Sequence, residues 1–436
     1  MGLQGENTSR WFQRGAKALV NGVSSGFRYW GDDDTVVIDR GEGAYVYDMD
    51  GKRYIDYHLG FGPVILGHGH PGVVAAVAEA AARGTTFAMT TAGEIAAAEK
   101  VRDAVGYIDL LRFTNTGTEA TMHAVRLARA ATGRDVIVKY EGAYHGVHDY
   151  VMFSTAGSTV SALGSRRSPI PQQVSSGIPE VIRSLVRTVP FNDLEALERL
   201  FRNDGHRIAA ILVEPFMGNF FGLGPEPGYL EGVRELCDQH GVILIFDEVK
   251  TGFRIGMGGA QQVTGVTPDM GTFAKCMGNG FPVAAIGGRA DIMDLWAKGG
   301  VGQAGTYSGN ALAAAAASAT LDALADGTAF ARVDKTGTAL MEGIGRICAD
   351  AGGPVHLVGL PSMFGIFLGE EAPRDYRDVV NHDEQLYSEI IMGIIRRGVF
   401  PVDDAKEPWF VSAAHSDEDV ATSLTAFEES LREALG

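Results

Sequence analysis

An unbroken apolar run, Val242-Ile243-Leu244-Ile245-Phe246, leads straight into two acids, Asp247-Glu248. A second such run, Ile208 to Val213, precedes it, and between them Tyr229 to His240 carries helical spacing until Gly241 stops it. Strands that read as continuous apolar runs are buried on both faces, as in a parallel sheet under helices. A strand, helix, strand unit of this kind makes a parallel pair through a crossover. Ligands of such sheets gather outside the carboxyl ends of the strands. Asp247 therefore stands at a ligand position, and a desolvated carboxylate there needs a cationic or proton-donating partner.

The alternation recurs upstream: a helix from Ile95 to Val105, a strand at Leu111–Phe113, a helix from Thr118 to Ala131 ended by Gly133, and a strand at Asp135–Tyr140. Before it, the first sixty residues read as an extended arm with a hairpin, Ala44–Tyr47 and Arg53–Tyr57, around the turn Met49-Asp50-Gly51. Ser154 to Pro179 lacks periodicity and is too long for a plain connector, so it reads as a lid or binding loop. An Ala-rich helix near Ala311–Leu324 is followed by a helix at Thr338–Ala349, a strand at Met363–Leu368, a helix at Glu384–Arg397 and a last helix from Asp417. The expected architecture is an α/β protein with an arm (1–60), a large domain whose mixed, mostly parallel sheet is covered by helices (61–325), and a smaller α+β domain (326–436).

Glycine fits this reading: 58 of 436 residues, about 13% against a usual ~7%, without any collagen period, implies many turns and close backbone approaches. With 45% hydrophobic and 21% charged residues, disorder and fibres are excluded. A net charge of -17 excludes nucleic acid as a partner of the general field. Cys237, Cys276 and Cys348 are too few and too far apart for a disulfide framework or a cysteine zinc site, so a reducing cytoplasm is the expected home. No apolar leader or membrane span is expected, since Glu6, Arg10, Arg14 and Lys17 interrupt the beginning, and Ser318, Thr320 and Asp322 interrupt the Ala-rich stretch.

Four positions carry chemistry. Asp247 could face a protonated heterocycle or pair with a neighbouring Arg254. Asn115-Thr116-Gly117-Thr118-Glu119-Ala120 opens a helix, where free N–H groups make a phosphate site and Gly allows close approach, although taken alone a simple N-cap by Thr116 or Thr118 is the commoner reading. Lys275 lies among apolar and small residues, which lowers an amine's pKa and suits Schiff-base chemistry, with Lys139 and Lys250 as competitors. Gly142-Ala143-Tyr144-His145-Gly146 offers an aromatic ring and an imidazole on a loop after a strand. Phosphate cradle, lysine, ring-nitrogen partner and stacking ring are together what pyridoxal 5'-phosphate needs.

Over about residues 10 to 435 the chain resembles the class III aminotransferases, and within them the branch containing glutamate-1-semialdehyde 2,1-aminomutase. The resemblance is carried by Arg112 to Met122, Tyr140 to Gly146, Val213-Glu214-Pro215 with Gly218-Asn219, and Phe246-Asp247-Glu248-Val249 with Thr251-Gly252-Phe253-Arg254. It continues in Pro268-Asp269 leading to Lys275, and in Gln303-Ala304-Gly305-Thr306 with Ser308-Gly309-Asn310. It implies the fold type I architecture of pyridoxal-phosphate enzymes and a homodimer with shared sites. Lys275 would hold the cofactor covalently and shuttle the proton, and Asp247 would keep its ring nitrogen protonated. Gly117, Thr118 and the partner subunit's Thr306 would bind the phosphate. Tyr144 would stack on the ring and Val249 press its other face, Asn219 would lie near the phenolic oxygen, and Glu214 and His145 would support these groups. Arg28, in Gly22-Val23-Ser24-Ser25-Gly26-Phe27-Arg28, would meet a substrate carboxylate.

The chain also departs from that branch. Gly60-Phe61-Gly62-Pro63 replaces Ser-Trp-Gly-Pro, which should widen the substrate pocket around Phe61. Gly278-Asn279-Gly280 replaces a glycine triplet, and the 154–179 segment carries Arg166 and Arg167 in unusual wording. The departures favour a transaminase working between two molecules. Its donor would be glutamate and its acceptor a small aldehyde or ketone, an amino-sugar or other secondary-metabolite carbonyl among them. The alternative is the aminomutase itself, which serves tetrapyrrole synthesis. Three rival readings are weaker. A zinc hydrolase could use His68, His70, His145 and His148 but lacks accompanying carboxylates. A serine hydrolase at Gly22-Val23-Ser24-Ser25-Gly26 lacks the strand and helix of a nucleophile elbow. The third is a cofactor-binding protein without turnover.

Overall fold

The computed structural model describes residues 2–298 and 300–436. Strands Ile38–Glu42 (β1), Tyr45–Asp48 (β2) and Arg53–Asp56 (β3) are followed by Leu110–Thr114 (β4), Val136–Tyr140 (β5), the two-residue pair Gly164–Ser165 (β6) and Ser168–Pro169 (β7), and Val186–Val189 (β8). Ile208–Val213 (β9), Ile243–Glu248 (β10), Met270–Phe273 (β11) and Ala284–Gly288 (β12) come next. His356–Leu360 (β13), Met363–Phe367 (β14), Val399–Phe400 (β15) and Trp409–Phe410 (β16) complete the series. Every residue of β5 and β9 is buried, which their lack of polar alternation dictates.

These strands lie at the heart of a seven-stranded sheet ordered β4-β12-β11-β10-β9-β5-β8, in which β12 alone runs antiparallel to its neighbours. The mixed, mostly parallel sheet read from the sequence is therefore present. The register sets Phe246 beside Val213 and Asp247 beside Thr272, so the carboxyl ends of β9, β10 and β11 open on one edge. Above that edge starts the helix Gly117–Thr132, where the Thr116 hydroxyl accepts from Glu119 N at 3.1 Å and Gly133 at φ 66° ends the helix. Its buried face is Ala120, Ala124, Val125, Leu127 and Ala128, small enough for the helix to lie close across β9, β11 and β12.

A smaller layer holds the sheets β1-β2-β3-β15 and β13-β14-β16. The expected hairpin is there, with Tyr45 opposite Ile55, and β15 adds to it in parallel at Ile55 and Asp56. Two expectations need correction. The arm is not extended throughout, since Glu6–Gly15 is helical; the hairpin's Asp50 accepts from Asn7 N and Thr8 N, both at 2.8 Å, a long-range cap that local propensity does not reveal. The helix expected at Thr338–Ala349 begins earlier and runs from Thr328 to Asp350. Among the described residues no helix is long and apolar enough to cross a membrane.

The 154–179 segment is irregular as expected, but its first half is tied down. Gly142 N donates to Ser154 O at 2.7 Å, and the Tyr376 hydroxyl lies between Ala156 O and Ser158 O at 2.7 and 2.6 Å, its one proton shared by the two carbonyls. Arg377 forks onto buried Glu141 with two 2.7 Å bonds and also reaches Gly164 O and Leu163 O at 2.7 and 3.1 Å. The 376–381 turn thus clamps both this segment and the loop that follows β5.

Gly142 sits inside the clamp at φ 81°, and a Cβ there would fall 2.5 Å from the Tyr376 ring, which cannot retreat. Gly142→Ala should cost about 3 kcal/mol through strain and overpacking. Urea unfolding followed by circular dichroism checks this, and a midpoint unchanged from the parent overturns it.

Candidate active site

At the end of β10 the Asp247 carboxylate is buried and fully engaged. Oδ1 accepts from Val249 N and the Thr272 hydroxyl, both at 3.1 Å, while Oδ2 lies 2.7 Å from His145 Nδ1. Arg254, offered by the sequence as an ion-pair partner, is elsewhere. Its buried guanidinium donates to the carbonyls of Ser362 (2.9 Å), Val411 (3.1 Å) and Gly62. His145 Nε2 is buried without a protein partner. Burial pushes the Glu214 carboxyl at the end of β9 upward, and three donors answer it: Tyr144 N at 2.8 Å, Gly218 N at 3.0 Å and Asn219 Nδ2 at 2.9 Å. Glu214 thereby fixes both the Tyr144 loop and the Gly218-Asn219 turn.

The lysine competition is decided by what each amine already holds. Lys139 Nζ donates to Tyr140 O (3.2 Å), Ala143 O (2.9 Å) and Phe153 O (2.6 Å), which uses all three of its donors. Lys250 Nζ is 2.6 Å from both Gly218 O and Glu407 Oε2. Lys275 Nζ has no hydrogen-bond partner among the described residues, and it faces the cleft. Burial, and then the neighbouring Lys250 cation, brings its pKa down to about 7. Its backbone sits at φ 47°, an uncommon conformation for a side-chain-bearing residue and one that collects at functional sites.

One cleft of about 180 Å³ is lined by Gly117, Thr118, Tyr144, His145, Glu214, Asn219, Asp247, Val249 and Lys275, together with Gly146 and Lys250. Nine of the twelve expected site residues thus converge. Gly117 N and Thr118 N precede the first intrahelical bond and remain free for an anion. The need for glycine at 117 has a reason the sequence did not disclose: a Cβ there would fall 2.9 and 3.0 Å from the Val249 methyls. Arg28 and Phe61 line an adjoining cavity of about 480 Å³ with Phe27 and His58. Phe27 links the two spaces, its ring edge-on to Tyr144 and to Phe61 with centroids 5.9 Å away in each case. Thr306 is exposed and does not line the cleft of its own chain. The histidines of the zinc reading do not gather: His68 pairs with Asp56 and His145 with Asp247. Among the described residues no group of three or more candidate ligands holds a metal site.

Comparison with known proteins agrees with this geometry. A family model described as aminotransferase class-III matches residues 29–422. A glutamate-1-semialdehyde 2,1-aminomutase of Desulfatibacillum aliphaticivorans is 41% identical over 98% of this chain and 100% of its own. One of Roseiflexus castenholzii is 44% identical over 91% of this chain and 89% of its own. Among solved structures, an omega-transaminase from Sphaerobacter thermophilus superposes with a TM-score of 0.94 at 32% identity, covering 99% of this chain and 98% of that one.

The donor set fits pyridoxal 5'-phosphate: free N–H groups for a phosphate, a buried carboxylate for a ring nitrogen, and an unspent amine for an aldehyde. Because the neutral amine is the nucleophile, a Lys275 pKa of about 7 means that attachment of the cofactor to cofactor-free protein should speed up through pH 7 and level off by about pH 8. Absorbance stopped-flow measures this. A rate still climbing at pH 9, or attachment unchanged in Lys275→Ala, contradicts the assignment.

Proposed function

We infer from a chain that belongs to the class-III aminotransferases, which use pyridoxal 5'-phosphate, that it works as a glutamate-1-semialdehyde 2,1-aminomutase, moving an amino group between neighbouring carbons of one substrate. The observation that carries the reading is the 41% and 44% identity, over nearly the whole chain, to two proteins of that name. The sequence departures at Gly60 and Phe61 pointed instead to transfer between two molecules, and that preference yields to relatives matched across the full architecture. Transamination remains the second reading because Gly60 and Phe61 line an open cavity and an omega-transaminase shares the fold at 32% identity.

When bound, the cofactor supplies an aldehyde that takes up an amino group and a ring that withdraws electrons from the substrate carbon. The chain's own groups do the rest in this reading. Asp247, oriented by His145 and Thr272, holds the proton on the ring nitrogen. Lys275 Nζ, once free of the cofactor, moves the substrate proton from one carbon to the other, a task suited to a pKa near the working pH. Gly117 and Thr118 would hold the phosphate, Tyr144 and Val249 would flank the ring, and Asn219, fixed by Glu214, would serve the phenolic oxygen. Arg28 carries no ion pair among the described residues and is free for the substrate carboxylate, with Phe61 as its apolar wall.

The reading includes a homodimer in which Thr306 serves the second subunit's phosphate. Exposed Phe87, Met89 and Tyr307 offer apolar surface beside it, on two segments joined by Asn310 Nδ2 donating to Thr85 O at 2.9 Å. It also includes the division into arm (1–60), large domain (61–325) and small domain (326–436), supported by the joining of the arm to β15 in one sheet.

Incubating the holoenzyme with glutamate-1-semialdehyde and no added amino donor should give 5-aminolevulinate. If none forms, while titrated glutamate bleaches the cofactor's visible band and 2-oxoglutarate accumulates, the enzyme is the transaminase of the second reading.

A further inference from the structure

His58 takes no part in the chemistry assigned to the other site residues. It stands in the turn from Asp56 to Gly62, where Leu59, Gly60, Phe61 and Gly62 all have positive φ, at 45°, 63°, 66° and 95°. Two of these are not glycine, so the turn is strained and must be held from outside. Asp56 Oδ1 accepts from His58 N and Leu59 N at 2.9 Å each, and Gly62 O is taken by Arg254 and by Cys276 Sγ at 3.2 Å. The imidazole is fixed as firmly as the backbone. Phe61 N donates to His58 O at 2.9 Å and shares its proton with His58 Nδ1 at 3.3 Å, and the Phe61 ring packs on the imidazole with centroids 4.2 Å apart. With Nδ1 accepting, the neutral ring carries its proton on Nε2. That N–H has no partner among the described residues, and the ring lines the 480 Å³ cavity beside Arg28, Trp30 and Phe400.

The surroundings favour an anion. Burial drives the His58 pKa down to about 4, and Lys250, Arg28 and Lys275 all act on the ring in the same sense. Asp56, the strongest single charge on the ring, opposes them; its Oδ1 is bound to backbone and its Oδ2 is 2.7 Å from His68 Nε2. A neutral ring N–H donor thus sits beside an unpaired guanidinium in a corner walled by aromatic rings.

We propose that His58 is a specificity-determining residue whose Nε2–H and the Arg28 guanidinium together receive a substrate carboxylate, so that the cavity selects carboxylate-bearing substrates over simple amines. The proposal rests on the reading of this cavity as the substrate site, and it adds a second donor to the one cation that reading supplies.

Isothermal titration of the holoenzyme with glutarate, an unreactive five-carbon dicarboxylate, tests it without turnover. A hydrogen bond to a charged group is worth enough that His58→Phe should weaken glutarate binding by about tenfold to a hundredfold. His58→Gln, which keeps an N–H donor, should stay within about threefold of the parent. Butylamine, judged by its change of the cofactor band, should be affected by neither. Equal affinity for glutarate in the parent and His58→Phe overturns the proposal, and so does an equal loss in the Gln and Phe variants. Should His58→Phe fail to hold cofactor, His58→Asn takes its place, withdrawing the donor from reach. If glutarate discriminates as expected but glutamate-1-semialdehyde is not converted, the aminomutase reading falls and His58 stands. Conversion together with indifference of glutarate to residue 58 gives the reverse.

Discussion

A carboxylate sealed from water must have its donors in place beforehand, since nothing else offsets its desolvation. Asp247 is such a group, and the molecule is arranged around supplying it. Thr272 comes from the next strand in register, Val249 N from the turn that ends its own strand, and His145 from the loop beyond β5, two strands away. Only the strand order β11-β10-β9-β5 brings these three to one point. Glu214, one strand over, repeats the device by taking donors from Tyr144, Gly218 and Asn219. Two adjacent strand ends therefore define where Tyr144, Asn219 and the Asp247 carboxylate stand.

Three buried lysines illustrate how chemical availability is assigned by hydrogen-bond accounting rather than by burial. Lys139 and Lys275 are both brought to about 7 by desolvation. Lys139 is spent on three carbonyls and knits the start of the 154–179 segment to the Tyr144 loop, so its amine is structural. Lys250 is closed off by Glu407 and Gly218, yet its charge still reaches Lys275 and favours the neutral, reactive amine there. Lys275 keeps its amine unspent.

Much of this was legible in the sequence, where position follows from pattern. Ile208–Val213, Tyr229–His240 and Ala311–Leu324 have the limits read from apolar periodicity, and nine site residues follow strand ends or helix starts into one cleft. What escaped depends on contacts across long sequence distances. The helix Glu6–Gly15 needs Asp50 to cap it, and β1 (Ile38–Glu42) is mostly exposed, with no apolar stripe to announce it. Gly117 reads as a phosphate glycine until Val249 is seen packed against it. His58 looks like one more residue of a strand end, because its importance comes from a turn with four positive φ values and from cations remote in sequence.

Arg254 offers a different kind of consequence. Its buried guanidinium is held by three backbone carbonyls rather than by an acid, from the turn at Gly62, from Ser362 and from Val411. An internal cation coordinated in this way behaves like a bound ion whose ligands come from opposite ends of the chain. A fragment lacking the last hundred residues would keep the charge and lose two of its three ligands, exposing a buried cation to an apolar interior. The two layers are therefore joined through this cation, as the two ends of the chain are through the sheet that β15 completes.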